Sequence, residues 1–440
     1  MDQTHSITAI EKRTVKKTMK RILPFILLLY AVAFLDRINL GFAALEMNAD
    51  LALTAEVFGL LSGLFFIGYF LFEVPSNLML KKFGAKLWIS RIMVTWGIIV
   101  VLTGFAQSAA HLYILRFLLG VAEAGFTPGI ILYLTYWFRA RERGKATAVF
   151  FVALPLSALI GAPLSTWIID TISWGGLAGW RWMFILEGIP AVLLGIVVLF
   201  YMTNRPADAK WLTVEEKTWL EGELEKERKL SSQVNKSSHL AMLKDSKVWK
   251  LSLVNIAGFV AVNGLAYWMP TILKSLSSSS TTNIQIGWLA MIPSLIAIPA
   301  ILFVGWNADR TNSYKKHLIG CMSIAMIGLI GCALVPTAPL MVLMLSITSA
   351  GLYGISGSFY AYLTFFFTQS TAPAGIALVS SLSAMGGFIG PMLLGVVELR
   401  EGMFVIAGFM LVSLITLFTL KLEKNRQSDP TAKQPIEASN

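Results

Sequence analysis

Twelve apolar runs, each long enough to cross a bilayer, divide this chain between clusters of charge. They lie near 22–44, 57–79, 87–107, 110–135, 145–170, 183–203, 247–272, 284–306, 316–335, 339–363, 374–396 and 402–421. About 20 apolar residues match the hydrocarbon core of a membrane. No water reaches backbone N–H and C=O groups there, so each run must close its hydrogen bonds within itself as a helix. The chain is 56% hydrophobic and 14% charged, against a usual charged share of about 25%. That composition excludes a water-soluble enzyme and a disordered scaffold. It predicts an all-α membrane protein with 12 transmembrane helices held in the lipid bilayer.

Orientation follows from where the cations fall. Lys12 to Arg21, Lys81/Lys82/Lys86, Arg139/Arg141/Arg143/Lys145, the 204–246 segment, Arg310/Lys315/Lys316 and the Lys421–Lys433 tail share one side, whereas the opposite loops carry Arg181, Lys274 and Arg400. Cytoplasmic loops collect Lys and Arg, so both termini are expected in the cytoplasm. The same bias accounts for the net charge of +11 without any nucleic-acid partner. No cleavable leader is expected, because the polar N-terminus lacks a small-residue cleavage site after an apolar core. Cys321 and Cys332 share one run, roughly 16 Å apart on a helix and beyond disulfide reach. His5, His111, His239 and His317 are scattered, so neither a metal site nor a cofactor is expected.

The chain also repeats itself. PSNLMLKKFGAK at 75–86 closes the second run and GWNADRTNSYKK at 305–316 closes the eighth, 230 residues later. The fourth and tenth runs, and the fifth and eleventh, begin at nearly the same separation. One six-helix unit has been used twice, giving bundles over 1–203 and 247–421, a cytoplasmic linker over 204–246 and a tail over 422–440. Parallel repeats of this kind build secondary transporters. Within the linker, TVEEKTWLEGELEKERK reads as a surface helix with Thr213 as N-cap and Glu216 completing a capping box. With eight basic and eight acidic residues, the linker reads as a solvated tether in preference to a partner-docking module.

Ionisable side chains in a bilayer core cost at least about 2.5–3.5 kcal/mol each, so they mark function. Asp36 and Arg37 lie in YAVAFLDRINLGF of the first run; Arg116 and Glu123 lie in YILRFLLGVAEAGFTPG of the fourth. Seven residues separate Arg116 from Glu123, two helical turns, which puts both on one face. Arg37 and Arg116 fall at similar depths, and two guanidinium forks suit a carboxylate-bearing ligand. The alternative is a pair of internal salt bridges between the first and fourth runs. Burial and a neighbouring guanidinium pull a carboxyl's proton affinity in opposite directions, which makes Asp36 and Glu123 candidates for proton coupling. Glu73, Glu187 and Glu398 fall near helix ends and read as gating or structural partners, Glu73 beside the Arg139–Lys145 cluster. Tyr69, Asn263, Tyr267, Trp268, Tyr353, Tyr360, Ser380 and Ser383 supply uncharged polar contacts in the spans, although any one aromatic is more often packing. Neither G-x-x-x-x-G-K-[ST] nor G-x-S-x-G occurs, so a P-loop ATPase and the commonest serine-hydrolase elbow are absent.

The repeated loop resembles the signature of the major facilitator superfamily: Gly305, Asp309, Arg310, Lys315 and Lys316 match it. The first copy departs, with Asn77 at the first Gly position and Lys81 at the Asp position. Within that superfamily, FLDRINLGFA, FEVPSNLMLKKFGAK, LRFLLGVAEAGFTPG, WFRARERGKA, GWRWMFILEGIPA and NRPADAKWLT resemble the anion:cation symporter family across nearly the whole chain. The resemblance implies two six-helix halves with pseudo-twofold symmetry and proton-driven uptake of a small organic anion across a bacterial inner membrane. That anion would be a sugar acid, tartrate-like hydroxy-carboxylate or aromatic carboxylate. It places Arg37, Arg116 and Tyr69 at the substrate, with Tyr267, Trp268, Ser380 and Ser383 added from the reading of the second half. Asp36 and Glu123 couple protons, and Glu73, Asp309 and Arg310 serve gating or structure. The eleventh run, ALVSSLSAMGGFIGP, has Ser and Ala where sugar-acid carriers usually show Asn. An exporter or exchanger of a drug or metabolite is the competing reading, and the carrier is expected to act as a monomer.

The orientation has a direct check. A cysteine placed at Ser277 should react with an impermeant thiol reagent outside intact cells, and one at Ser232 should not. The reverse pattern would invert the topology.

Overall fold

The computed structural model describes residues 2–232, 245–367 and 372–420; among these the regular structure is entirely helical. The first half comprises α1 (Asp2–Asp50), α2 (Ala55–Phe83), α3 (Ala85–Thr103), α4 (Ala109–Glu123), α5 (Phe126–Thr135), α6 (Ala140–Phe151), α7 (Ala153–Thr171) and α8 (Gly179–Tyr201). A linker helix α9 (Val214–Ser232) follows. The second half is built from α10 (Ser246–Ser275), α11 (Asn283–Thr311), α12 (Tyr314–Leu334), α13 (Ala338–Thr364), α14 (Ala372–Val396) and α15 (Leu399–Thr419). Among the described residues, twelve helical segments are long and apolar enough to cross a membrane. The tail over 422–440 lies outside the described residues.

Two of the twelve runs are not single helices. The fourth breaks after Glu123: Ala124 is extended and Gly125 takes φ 84°, ψ 0°. Glycine populates that left-handed region without strain. Space imposes the same choice, since a Cβ at Gly125 would sit 2.5 Å from Ser76 Oγ. The fifth run is interrupted at Val152, where α6 hands over to α7.

The halves meet along two equivalent seams, α2 against α14 and α7 against α11, with α1 crossing α10 between them. Six membrane spans on, α2 corresponds to α11 and α7 to α14, so the pseudo-twofold exchanges one seam for the other. Both seams are tight at the same end of the molecule, remote from the described N-terminus. Gly59 and Gly395 let α2 and α14 touch backbone to backbone, because a Cβ on Gly59 would lie 2.9 Å from the Pro391 carbonyl oxygen and 3.0 Å from Gly395 Cα. At the other seam, Asp170 of α7 accepts the Asn283 amide at 2.7 Å and the Ile284 backbone N–H at 2.8 Å. Glu46 of α1 also accepts from Asn283, at 3.2 Å. A carboxylate of one half thus caps a helix of the other, at the positive end of its dipole.

At the opposite end, the linker is more than a tether. The expected capping box is present: the Glu216 N–H donates to Thr213 Oγ1 at 3.3 Å and the Thr213 N–H to Glu216 Oε2 at 2.9 Å. Glu216 is buried and also accepts Arg13 Nε at 2.9 Å and Lys17 Nζ at 3.0 Å from the polar extension of α1. Burial pushes this carboxyl up, but the Thr213 amide, Lys17 and Arg13 outweigh it and hold it below the usual glutamate range. The docking is therefore present above that range and is lost as pH falls through the lowered value. Arg139 meets Glu11 at 2.7 Å and Glu223 at 3.4 Å, and Arg143 meets Glu227 at 2.5 Å. The linker helix is strapped to the first half, which corrects the solvated-tether reading.

Removing the inter-half cap should loosen the closed end. Losing a helix cap costs about 0.5–2 kcal/mol, a shift of roughly two- to thirty-fold in a two-state population. In Asp170→Ala, spin labels at Trp174 and Ser279 should gain a longer-distance component in double electron–electron resonance. An unchanged distance distribution would show that the cap does not hold the seam.

Candidate functional site

Consecutive residues on a helix point about 100° apart, and α1 uses this to send Asp36 and Arg37 to different neighbours. Arg37 turns toward α2 and α4, where it pairs with Glu123. Its guanidinium carbon lies 5.1 Å from the Phe65 ring centre and 5.7 Å from that of Tyr69, and its side chain is 15% exposed. Asp36 turns toward α3, where Trp96 Nε1 donates to Oδ2 at 2.9 Å. It is 2% exposed, and its other oxygen has no hydrogen-bond partner.

Arg116 of α4 is 1% exposed, and none of its three guanidinium nitrogens has a hydrogen-bond partner. Phe184 stands 5.9 Å from its charge. Its electrostatic neighbours are Tyr267, Asp36 and Glu123. The Tyr267 hydroxyl, from the second half, is also buried and unpartnered. Of the two salt bridges weighed for the first and fourth runs, one is present, Arg37 with Glu123, and the second cation has no ion partner among the described residues. A buried donor without an acceptor costs about 1–3 kcal/mol, more when charged. A bound carboxylate would remove that cost at Arg116, and it would find a hydroxyl beside it.

The second half contributes polarity without charge. Ser380 Oγ donates to the Tyr360 hydroxyl at 3.5 Å, a long contact. Ser383 is buried, gives its proton to the Val379 carbonyl at 2.6 Å and accepts Asn255 Nδ2 at 2.9 Å. It orients Asn255 more than it faces a ligand. Trp268 spends its indole N–H on the Pro391 carbonyl at 3.0 Å and packs edge-on against Phe58. It fastens α10 to α14, so its polar atom is not available to a substrate.

Two other expectations change, at Glu73 and at Glu187. Glu73 is half-buried and has no ion pair among the described residues; the Arg139 cluster uses Glu11, Glu142, Glu223 and Glu227 instead. Asp309 accepts the Tyr314 hydroxyl at 2.8 Å and Arg310 lies over Trp306 at 5.3 Å, which staples the turn between α11 and α12. Glu187 is not at a helix end. Because α8 begins at Gly179, Glu187 lies roughly 12 Å inside it and is 3% exposed. Asn39, Trp96 and Asn255 were not anticipated. Asn39 alone carried a signal, since it falls three residues after Asp36 and so on the same helix face.

The model of the Major Facilitator Superfamily matches residues 26–391 and 272–439. The chain is similar to a protein of Agrobacterium vitis named for tartrate transport, 42% identical over 418 residues, covering 93% of this chain and 95% of the relative. It is 35% identical to a quinolone resistance transporter of Acinetobacter baumannii, covering 97% and 99%. In fold it is similar to the crystal structure of a bacterial homologue of the human lysosomal transporter Spinster, inward-facing and occupied. The TM-score is 0.73 at 16% identity, with 90% and 95% covered.

Arg116→Lys keeps the charge but removes the fork. The loss of one charge-assisted hydrogen bond, about 1.5–3 kcal/mol, should weaken carboxylate binding roughly ten- to 150-fold. Thermal-shift titrations with sugar acids, hydroxy-diacids and aromatic acids would measure it, with Arg37→Lys alongside. If both variants bind like the parent, the arginines serve structure alone.

Proposed function

We propose that this chain, which belongs to the Major Facilitator Superfamily, is a monomeric carrier that brings a small organic anion and protons together across a bacterial inner membrane. The observation that carries this reading is Arg116, a fully buried guanidinium with three unpartnered nitrogens, which shares Glu123 and the second half's Tyr267 with Arg37 as charged or polar neighbours. The relative named for tartrate transport supports a compact hydroxy-carboxylate as cargo. The absence of an Asn in the eleventh span, where sugar-acid carriers have one, favours the same choice over a long polyol.

With both termini in the cytoplasm, the tight seams at Gly59–Gly395 and Asp170–Asn283 close the outside. Once those seams open, a carboxylate entering from outside would bind Arg116 through its fork and compete with Glu123 for Arg37. Glu123, relieved of its cation, would take a proton, so that no uncompensated charge stays in the core. Asp36, one helix face away, is the second candidate proton carrier. Both seams then loosen at one end and tighten at the other, which is alternating access about a midplane site.

A second reading has its own support in the relative named for quinolone resistance. A quinolone is itself an aromatic carboxylate, so the same guanidinium would hold it, and the readings differ in the direction of net transport.

Tartrate uptake into proteoliposomes under an inward proton gradient tests both cargo and coupling. The parent should accumulate tartrate. Glu123→Gln keeps shape but cannot release a proton, so it should lose gradient-driven uptake while keeping tartrate-for-tartrate exchange. Asp36→Asn is compared beside it. If both variants accumulate tartrate with pH as the sole driving force, neither acid couples protons.

A further inference from the structure

The first half buries three acids and two guanidinium groups in one connected group. Asp36 and Glu123 stand among Arg37 and Arg116, Glu187 adjoins Asp36, and each of the five is buried or nearly so. With every member ionised the cluster would carry one uncompensated negative charge in the bilayer core. An uncompensated charge there costs several kcal/mol. The anion that the proposed carrier binds would add to it. One of the three acids therefore keeps a proton even when the site is empty, and the contacts differ enough to say which.

Glu123 has Arg37 as a direct partner. Asp36 has the Trp96 indole N–H and counts Arg116 among its electrostatic neighbours. Glu187 has no cation. Its Oε1 accepts the Ser165 hydroxyl at 2.6 Å, and its Oε2 has no hydrogen-bond partner. The Asn39 amide lies against this carboxyl without closing a well-formed bond, and both its oxygen and its nitrogen are unpartnered.

Helices α1, α3 and α7 pack on this part of α8, and Arg116 of α4 reaches it at Phe184. From α1 come Asp36 and Asn39, with Glu46 and Asp50 at the closed end held by Asn283, Trp180 and Arg181. From α7 comes Ser165, with Asp170 engaged at the seam. From α3 comes Trp96; Arg91 on the same helix lies over Trp88 at 4.0 Å and reaches toward the Ala122 carbonyl. None of these cations is an ion partner of Glu187 among the described residues.

We propose that Glu187 is a positioning residue that holds a resident proton throughout the transport cycle. As a neutral acid it accepts from Ser165 through one oxygen and donates its O–H to the Asn39 carbonyl oxygen through the other, which satisfies two orphaned atoms at once. The remaining charges then balance, Asp36 and Glu123 against Arg37 and Arg116. A loaded carrier stays neutral when it takes up one proton for each negative charge of its cargo, and only Asp36 and Glu123 are available to take them. This deepens the proposed symport and rests on it for the transport arm alone.

Infrared spectra of the purified full-length protein at neutral pH read the proton directly. The carbonyl stretch of a protonated carboxylic acid should be present in the parent, absent in Glu187→Gln and retained in Asp36→Asn and Glu123→Gln. Ser165→Ala, which leaves the acid in place, should shift that band. A parent without the band, or a band unchanged in Glu187→Gln or in Ser165→Ala, would overturn the assignment. In proteoliposomes with tartrate, Glu187→Gln should keep gradient-driven accumulation and the parental pH profile. If it loses accumulation while keeping exchange, Glu187 is itself a coupling acid and the proposal fails. If instead the parent does not accumulate tartrate under a proton gradient, the symport reading fails, and the infrared result alone decides Glu187.

Discussion

A lipid core offers no partner to a free peptide group, and the rest of the architecture depends on that constraint. Every crossing segment must bond within itself, which leaves the chain one regular element to build with. Specific structure then comes from what helices do to one another. Backbones approach where glycine removes the side chain, as at Gly59 and Gly395. Helices are fastened where a polar atom finds a carbonyl, as with Trp268 and Pro391. Departures from helix are tolerated only inside the protein, and the break at Ala124–Gly125 falls just after Glu123.

The same constraint gives the ionisable residues their weight. In water the Arg37–Glu123 pair would contribute little; buried, it is the fixed point against which the cluster balances. Arg116 is held without a hydrogen bond next to it, and the buried Tyr267 hydroxyl of the other half stands among its neighbours. A ligand pairing with Arg116 would also meet Tyr267 of the other half, which under the proposed function would link binding to the relative position of the bundles. The strapped linker helix and the cap given by Asp170 belong to that scheme. One stiffens the first half as a unit, and the other holds the two units together at a single end.

The reading of residues alone reached the twelve spans, the twofold repeat of a six-helix unit, the capping box at Thr213 and Glu216, and the four charges of the first and fourth runs. Each is a local or periodic property: length, spacing, or the cost of a charge at a given depth. It misplaced Glu187 because the run was started at 183, whereas the helix begins at Gly179 and carries the acid into the core. It put Trp268 and Ser383 at the ligand because polar atoms in a span look alike until their partners are known. Trp96 left no trace, since an indole in an apolar run usually marks packing or the membrane interface.

What the sequence by itself determined is the material and its order: twelve helices, two related halves, and four charges that lipid cannot tolerate unaccompanied. The tertiary structure decided who accompanies whom. Arg37 and Glu123 are 86 positions apart, and Asp36 could have met either guanidinium; neighbouring residues on a helix diverge by 100°, so a small change in how α1 is rotated would exchange their partners. That rotation is set by how α1, α3, α4 and α8 pack, through contacts far apart in the chain that no local pattern encodes. Depth is written in the sequence, but direction around the helix axis becomes chemistry only once the neighbours are in place.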